Sequence, residues 1–199
     1  MSLIVGIFVG GRGSRMGGVA KGLLHAPGSD LSLVERLLRE LAGAAPGAEV
    51  VLVGAAEPYA SLGLSSVNDE PPGVGPLGGL LGLFAYAERR GATSVLALAC
   101  DLPRLDAALL ARLLNEAGEA NALVAEQAGV RNPLVARYAV SQAQSAARAA
   151  FDAGQRSLQA VLDRLEPGLV CLRLEGAESR TLDDWDTPSD VERGGGKAR

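Results

Sequence analysis

Five glycines and three cations crowd into one stretch after the first apolar run: Gly10-Gly11-Arg12-Gly13-Ser14-Arg15-Met16-Gly17-Gly18, then Lys21. Glycine lets the backbone turn its N–H groups toward an anion, so the amides of Gly10, Gly11 and Gly13 can cradle a polyphosphate, with Arg15 and Lys21 supplying charge. A second chemical feature is Asp101, which ends the apolar run Ser94–Ala99 just before Leu102-Pro103. Mg2+ binds through one or two carboxylates plus substrate phosphates, so a single aspartate fixed at a strand end suits it; an Asx turn ahead of proline is the plainer alternative. Asn68-Asp69-Glu70, ahead of Pro71-Pro72, reads as a third wall or as an ordinary proline turn. Gly78, Gly79 and Gly82 lie in a helical pattern, where each costs up to about 1 kcal/mol against alanine; either a ligand or another piece of backbone must approach closely there. Asp184 and Asp186, in Asp183-Asp184-Trp185-Asp186-Thr187-Pro188, are further carboxylates for a metal or a phosphate-bearing ligand, though helix capping by Thr187 also explains that segment.

Other chemistries fit less well. A Walker loop needs Gly-Lys-Ser/Thr, but Gly22 follows Lys21. A dinucleotide fingerprint wants a glycine where Met16 stands and an acidic residue at the end of the strand Glu49 to Val53, where Gly54 stands instead. His25 is the sole histidine, in a polar loop, and reads as an exposed loop residue rather than a catalytic base. Cys100 has no adjacent base and reads as a small buried side chain.

The elements that must position these residues follow from apolar periodicity. Leu3 to Val9 reads as a strand buried on both faces; Leu33, Leu37, Leu38 and Leu41 mark a helix ended by Gly43 and Pro46. Strands at Glu49–Val53, Ser66-Val67, Ser94–Ala99, Ala122–Ala125, Leu134–Tyr138 and Leu169–Leu174 alternate with helices near Leu77–Arg90, Asp106–Ala117, Ser141–Ala153 and Ser157–Leu165. The alternation predicts an α/β fold, a mostly parallel sheet covered by helices on both faces, as one domain over residues 1–193 with a frayed tail at 194–199. Ligands of such sheets bind beyond the carboxyl ends of the strands, where both the glycine loop and Asp101 fall. At 199 residues with net charge −4 and scattered cations, the chain carries no nucleic-acid footprint. No apolar run is long enough for a membrane helix, no signal peptide precedes the first strand, and two cysteines suit a reducing cytoplasm.

Gly10-Gly11-x-x-Ser14-Arg15-Met16-Gly17 with Lys21-Gly22-Leu23-Leu24 resembles the signature of molybdenum cofactor guanylyltransferases. Asp69 before Gly75-Pro76-Leu77, Cys100-Asp101-Leu102-Pro103, Asn132-Pro133-Leu134, Arg156 in Gly154-Gln155-Arg156-Ser157, and Asp186-Thr187-Pro188 follow in that family's order. The resemblance implies a three-layer α/β/α, Rossmann-like nucleotidyltransferase fold and the joining of GMP from GTP to molybdopterin, with Mg2+ as cofactor and pyrophosphate released. It implies nucleotide contacts from Phe8, Val9, Gly10, Lys21, Asp69 and Asp101, with Asp101 also on Mg2+, and a role for Arg15 and Arg156 toward phosphates or the pterin. Transient contact with cofactor-accepting enzymes is expected too. Phe8-Val9 stands where the family has Leu-Ala, Gly54 where it often has asparagine, Asn132 where it has histidine, and Asp184-Trp185-Asp186 where it has Asn-x-Asn. These departures bear on base choice and pterin binding, which leaves cytidylyl transfer, or nucleotide binding without catalysis, as alternatives.

Overall fold

The apolar run at the N-terminus forms β1 (Leu3–Phe8), whose side chains alternate between two cores. Ile4 and Phe8 face one, Val5 and Ile7 the other. A strand walled by both needs helices on each side, and the rest of the chain supplies them. Residues 2–10, 20–185 and 190–191 are described in this computed structural model. Along the chain come α1 (Leu33–Ala44), β2 (Glu49–Val53), β3 (Ser65–Val67), α2 (Pro76–Arg89), β4 (Ser94–Ala99), α3 (Ala107–Asn115), β5 (Ala122–Gln127), β6 (Val130–Ala139), α4 (Val140–Asp152), α5 (Leu158–Arg164) and β7 (Leu169–Leu174).

The strands make one sheet in the order β3-β2-β1-β4-β6-β5-β7, parallel except for β6. Helices α2, α4 and α5 cover one face, α1 and α3 the other, giving the expected three layers. Gly6 lets α2 lie close on the first face, because a Cβ there would sit 2.5 Å from Leu83 Cδ2. Helix starts follow their caps: Ser32 and Glu35 form a capping box on α1, and the Asp106 carboxylate accepts the Leu109 amide at 2.9 Å on α3.

The strand expected over 134–138 runs instead from Val130 to Ala139, as the antiparallel arm of a hairpin with β5. Its two-residue loop is Ala128-Gly129, both with positive φ, a primed turn that alanine rarely signals in sequence. Arg137, within this strand, is buried and donates to the carbonyls of Leu113, Glu116 and Ala117 at 2.8, 2.7 and 2.8 Å. A guanidinium thus satisfies the orphan carbonyls at the end of α3. No helix among the described residues is long and apolar enough to cross a membrane.

Candidate functional site

β1 and β4 are parallel neighbours with Phe8 opposite Ala99, so Gly10 and Asp101 each follow two residues later on adjoining strands. Asp101 therefore leaves the sheet beside the start of the glycine loop. Lys21, on a 3-10 turn over Lys21–Leu23, returns to the same point, its Nζ 3.2 Å from Asp101 Oδ2. A cation and a carboxylate 80 residues apart in sequence thus meet at the carboxyl ends of the central strands. Both are about four-fifths shielded from water, at 23% and 21% side-chain exposure. In that setting the pair is stronger than a surface salt bridge, yet an anionic ligand and a cation can still reach it.

Below the pair lies a node that sequence reading missed. Tyr59, from a 3-10 turn over Glu57–Leu62, is buried, and its hydroxyl accepts the Gly22 amide at 3.1 Å. The same hydroxyl lies beside the Cys100 thiol. Burial, then the charge on Asp101, pushes the Cys100 thiol up to about 12, so the thiol stays protonated and is no nucleophile. Burial likewise raises Tyr59 well above the ordinary phenol range. Gly22 is needed here: a Cβ would lie 2.6 Å from Val34 Cγ2 and 2.9 Å from the Tyr59 oxygen. In sequence Tyr59 carries no signal of its own, and nothing there links it to Lys21.

Asp69 follows β3, and burial raises its carboxyl above the usual range. The glycines of α2 face it. A Cβ on Gly79 would come 3.3 Å from Asp69 Oδ1 and 3.0 Å from Phe8 Cε1, so Phe8 and Asp69 share one wall. A Cβ on Gly78 would fall 2.8 Å from the Pro71 carbonyl oxygen, and one on Gly82 only 2.3 Å from that of Asn68. The close approach expected at these glycines is therefore made by the chain itself, over residues 68–71, and Gly78 is buried beneath it. A cleft of about 330 Å3 opens along this side, with Asn68, Asp69, Glu70, Tyr86 and Arg89 in its walls. Val9 is buried in the opposite core and donates its amide to the Val53 carbonyl at 3.0 Å. Gly54, with φ +99°, backs directly onto the loop start, since a Cβ there would lie 2.8 Å from Gly10 Cα. A side chain at that position would have to displace Gly10.

The remaining candidates lie on the same rim or outside the described residues. β6 enters from the rim, because its residues 130–134 precede the stretch paired with β4. Arg156, between α4 and α5, stacks on Phe151 at 4.4 Å, exposed at the rim, and Gln159 three residues later donates to the Arg131 carbonyl of β6. Asp184 is exposed, whereas its neighbour Trp185 is buried with Leu24, Ala26, Leu33 and Val191. The Trp185 amide donates to the Asp101 carbonyl at 3.0 Å, bringing the C-terminal segment against Asp101. His25 is half-buried rather than exposed, bridged to Ser32. Gly11, Gly13, Arg15 and Asp186, and the 194–199 tail, lie outside the described residues. Among the described residues no cluster of three or more His, Cys, Asp or Glu could hold a metal. Asp101 fits instead a hard cation that takes its other ligands from phosphate and water.

The MobA-like NTP transferase domain matches residues 5–168. A molybdenum cofactor guanylyltransferase from Pseudomonas paraeruginosa is 38% identical over 121 residues, 58% of this chain and 57% of that protein. The chain thus matches little more than half the length of such curated relatives. The structure of molybdopterin-guanine dinucleotide biosynthesis protein A from Archaeoglobus fulgidus superposes with TM-score 0.73 at 25% identity, covering 96% of each chain. A 2-C-methyl-D-erythritol 4-phosphate cytidylyltransferase from Thermus thermophilus shares the fold, with TM-score 0.69 at 21% identity over 98% of each chain. With that domain spanning most of its length and the Lys21–Asp101 pair at the strand ends within it, this chain belongs to the MobA-like NTP transferase family.

Proposed function

We propose that this chain transfers GMP from GTP to the terminal phosphate of molybdopterin. The observation that carries the reading is the meeting of Lys21 and Asp101, 3.2 Å apart at the mouth of the glycine loop. Names borne by relatives, molybdenum cofactor guanylyltransferase among them, supply the substrates. A phosphate oxygen of the pterin attacks the α-phosphorus and forms a P–O bond. The bond to the bridging α–β oxygen breaks, and pyrophosphate leaves with that electron pair. Positioning and charge do most of the work. Lys21 turns from Asp101 to a phosphate oxygen, and the loop amides of Gly10, Gly11 and Gly13, with Arg15, hold the rest of the triphosphate. Phe8 and Asp69 form one wall for the nucleoside, with Val9 and Gly78 behind. Arg156, Asp184 and Asp186 would serve the pterin and its phosphate. Asp101 would hold Mg2+, which when bound offsets negative charge on the phosphates. The two free thiols, Cys100 and Cys171, suit a reducing cytoplasm, where handover of product to cofactor-accepting enzymes would follow.

The test pairs a thermal-shift screen of GTP, CTP, ATP and UTP, each with Mg2+, with a pyrophosphate-release assay containing molybdopterin. GTP should give the largest shift, because a ligand that binds only the native state raises apparent stability, and it alone should release pyrophosphate. Larger shift and turnover with CTP would move the assignment to cytidylyl transfer; binding without release for any base would reduce the chain to a nucleotide-binding protein.

A further inference from the structure

The geometry points to Tyr59 as a positioning residue that sets Lys21 against Asp101, and so tunes triphosphate binding without touching the ligand. This inference rests on the nucleotidyl-transfer reading, in which Lys21 contacts phosphate. Lys21 and Asp101 approach from different directions: Lys21 from a short 3-10 turn after the glycine loop, Asp101 from the end of β4. A three-residue turn has too few internal hydrogen bonds to hold its own orientation. Its anchor is external: the buried Tyr59 hydroxyl takes the amide of Gly22, adjacent to Lys21, at 3.1 Å. On its other side lies the thiol of Cys100, adjacent to Asp101. One oxygen therefore ties down the turn that carries Lys21 and lies next to the residue before Asp101. The ring is also pinned. Tyr59 is 1% exposed, packed in the core beneath α1, and Gly22 lies so close that a Cβ would sit 3.0 Å from ring Cε1.

The core needs the ring of Tyr59, while its hydroxyl serves one bond, to the Gly22 amide. Phenylalanine would fill the same space in the core with Val34 and Leu37, and the 3-10 turn over Glu57–Leu62 keeps its backbone bonds. What it would lose is the acceptor for the Gly22 amide, which loosens the turn carrying Lys21.

The experiment is a double-mutant cycle read as Mg-GTP affinity by calorimetry, on the full chain, with Tyr59→Phe, Lys21→Met and the pair. Tyr59→Phe should weaken binding by about three- to tenfold, the range of one lost buried hydrogen bond, and Lys21→Met by more. The pair should bind no more weakly than Lys21→Met alone, because the hydroxyl acts only through Lys21. A general loosening of the fold would not give that result, since it would add to the Lys21 effect. Cys100→Ala removes the thiol packed beside the hydroxyl and should show a smaller loss, again absent in the Lys21→Met background; it serves as the second perturbation should Tyr59→Phe melt below assay temperature. Additive losses, or a Tyr59→Phe variant and a Cys100→Ala variant that both bind like wild type while Lys21→Met is weakened, overturn the positioning role and leave the transferase reading standing. Wild-type binding that Lys21→Met leaves unchanged would refute the phosphate contact itself, and the positioning role falls with it.

Discussion

Gly82→Ala sets two ordinary rules against each other. In the interior of α2, alanine should gain up to about 1 kcal/mol over glycine through helix propensity. Its Cβ, however, would lie 2.3 Å from the Asn68 carbonyl oxygen and 3.3 Å from Val67 Cγ1. That is short of ordinary contact by about 1 Å, and the obstructing atom is backbone, so no side-chain rotation relieves it. Residues 68–70 or α2 must shift. Overpacking of this kind costs about 1–3 kcal/mol, and a backbone obstruction belongs at the upper end. The net expectation is a loss of about 2 kcal/mol, or about 4–8 °C in Tm for a chain of this length. Gly43→Ala is the matched comparison: Gly43 lies in α1 with nothing within 4 Å of its Cβ position, so that substitution should raise Tm slightly. Thermal unfolding followed by circular dichroism measures both. Gly82→Ala should also weaken Mg-GTP binding, because Asp69 moves with Asn68. A Gly82→Ala protein as stable as Gly43→Ala would refute the packing of residues 68–71 on α2.

Asp101→Ala should abolish pyrophosphate release while circular dichroism and Tm stay near wild type, since Asp101 lies at the rim; undiminished turnover would sink its assignment to the metal. Asp69 has a carboxyl raised by burial, so its protonated form is favoured in the native state, and its contribution to stability is present at low pH and lost as pH rises through that raised value. Asp69→Asn should therefore stabilise the free protein at pH 7, by a margin that shrinks as pH falls through the carboxylate range, while weakening nucleotide binding; a margin independent of pH would contradict the burial effect. Arg137→Met would leave the carbonyls of Leu113, Glu116 and Ala117 without their donor, and urea unfolding should show a loss of about 3 kcal/mol.

The fold was readable because its signals are local. The runs Ser94–Ala99 and Leu169–Leu174 are β4 and β7 to the residue, and Asp106 and Ser157 cap α3 and α5 at the expected starts. The hairpin of β5 and β6 was legible only in part, since Ala128 takes a left-handed conformation that its side chain does not advertise. Of the site, Lys21 and Asp101 were found by type and position at strand ends, and their contact follows from the parallel register of β1 and β4. Tyr59 could not be found that way. Its contact joins segments 37 residues apart through one oxygen, and in sequence it is one aromatic residue after Glu57-Pro58. The glycines of α2 were noticed, but whether backbone or ligand crowds them depends on where residues 68–71 run.

The C-terminal segment shows why the departures from the family pattern matter less for the fold than for the ligand. Trp185 is buried with Leu24, Ala26, Leu33 and Val191, which ties the chain end to the stretch just after Lys21. Its amide reaches the Asp101 carbonyl through backbone alone, so that bond survives any side chain at 184. Asp184 itself is exposed. Replacing an amide by a carboxylate there leaves the packing around Trp185 unchanged, while adding negative charge close to the point where the proposed phosphates bind. Uncompensated, that charge repels them, so the segment makes sense only with cations nearby. Lys21 is the described cation at the site, and Arg156 stands exposed at the rim. Under the proposed function the charge at 184 would bear on which acceptor is held and how tightly, and it leaves the sheet, the ion pair and the Tyr59–Gly22 bond as they are.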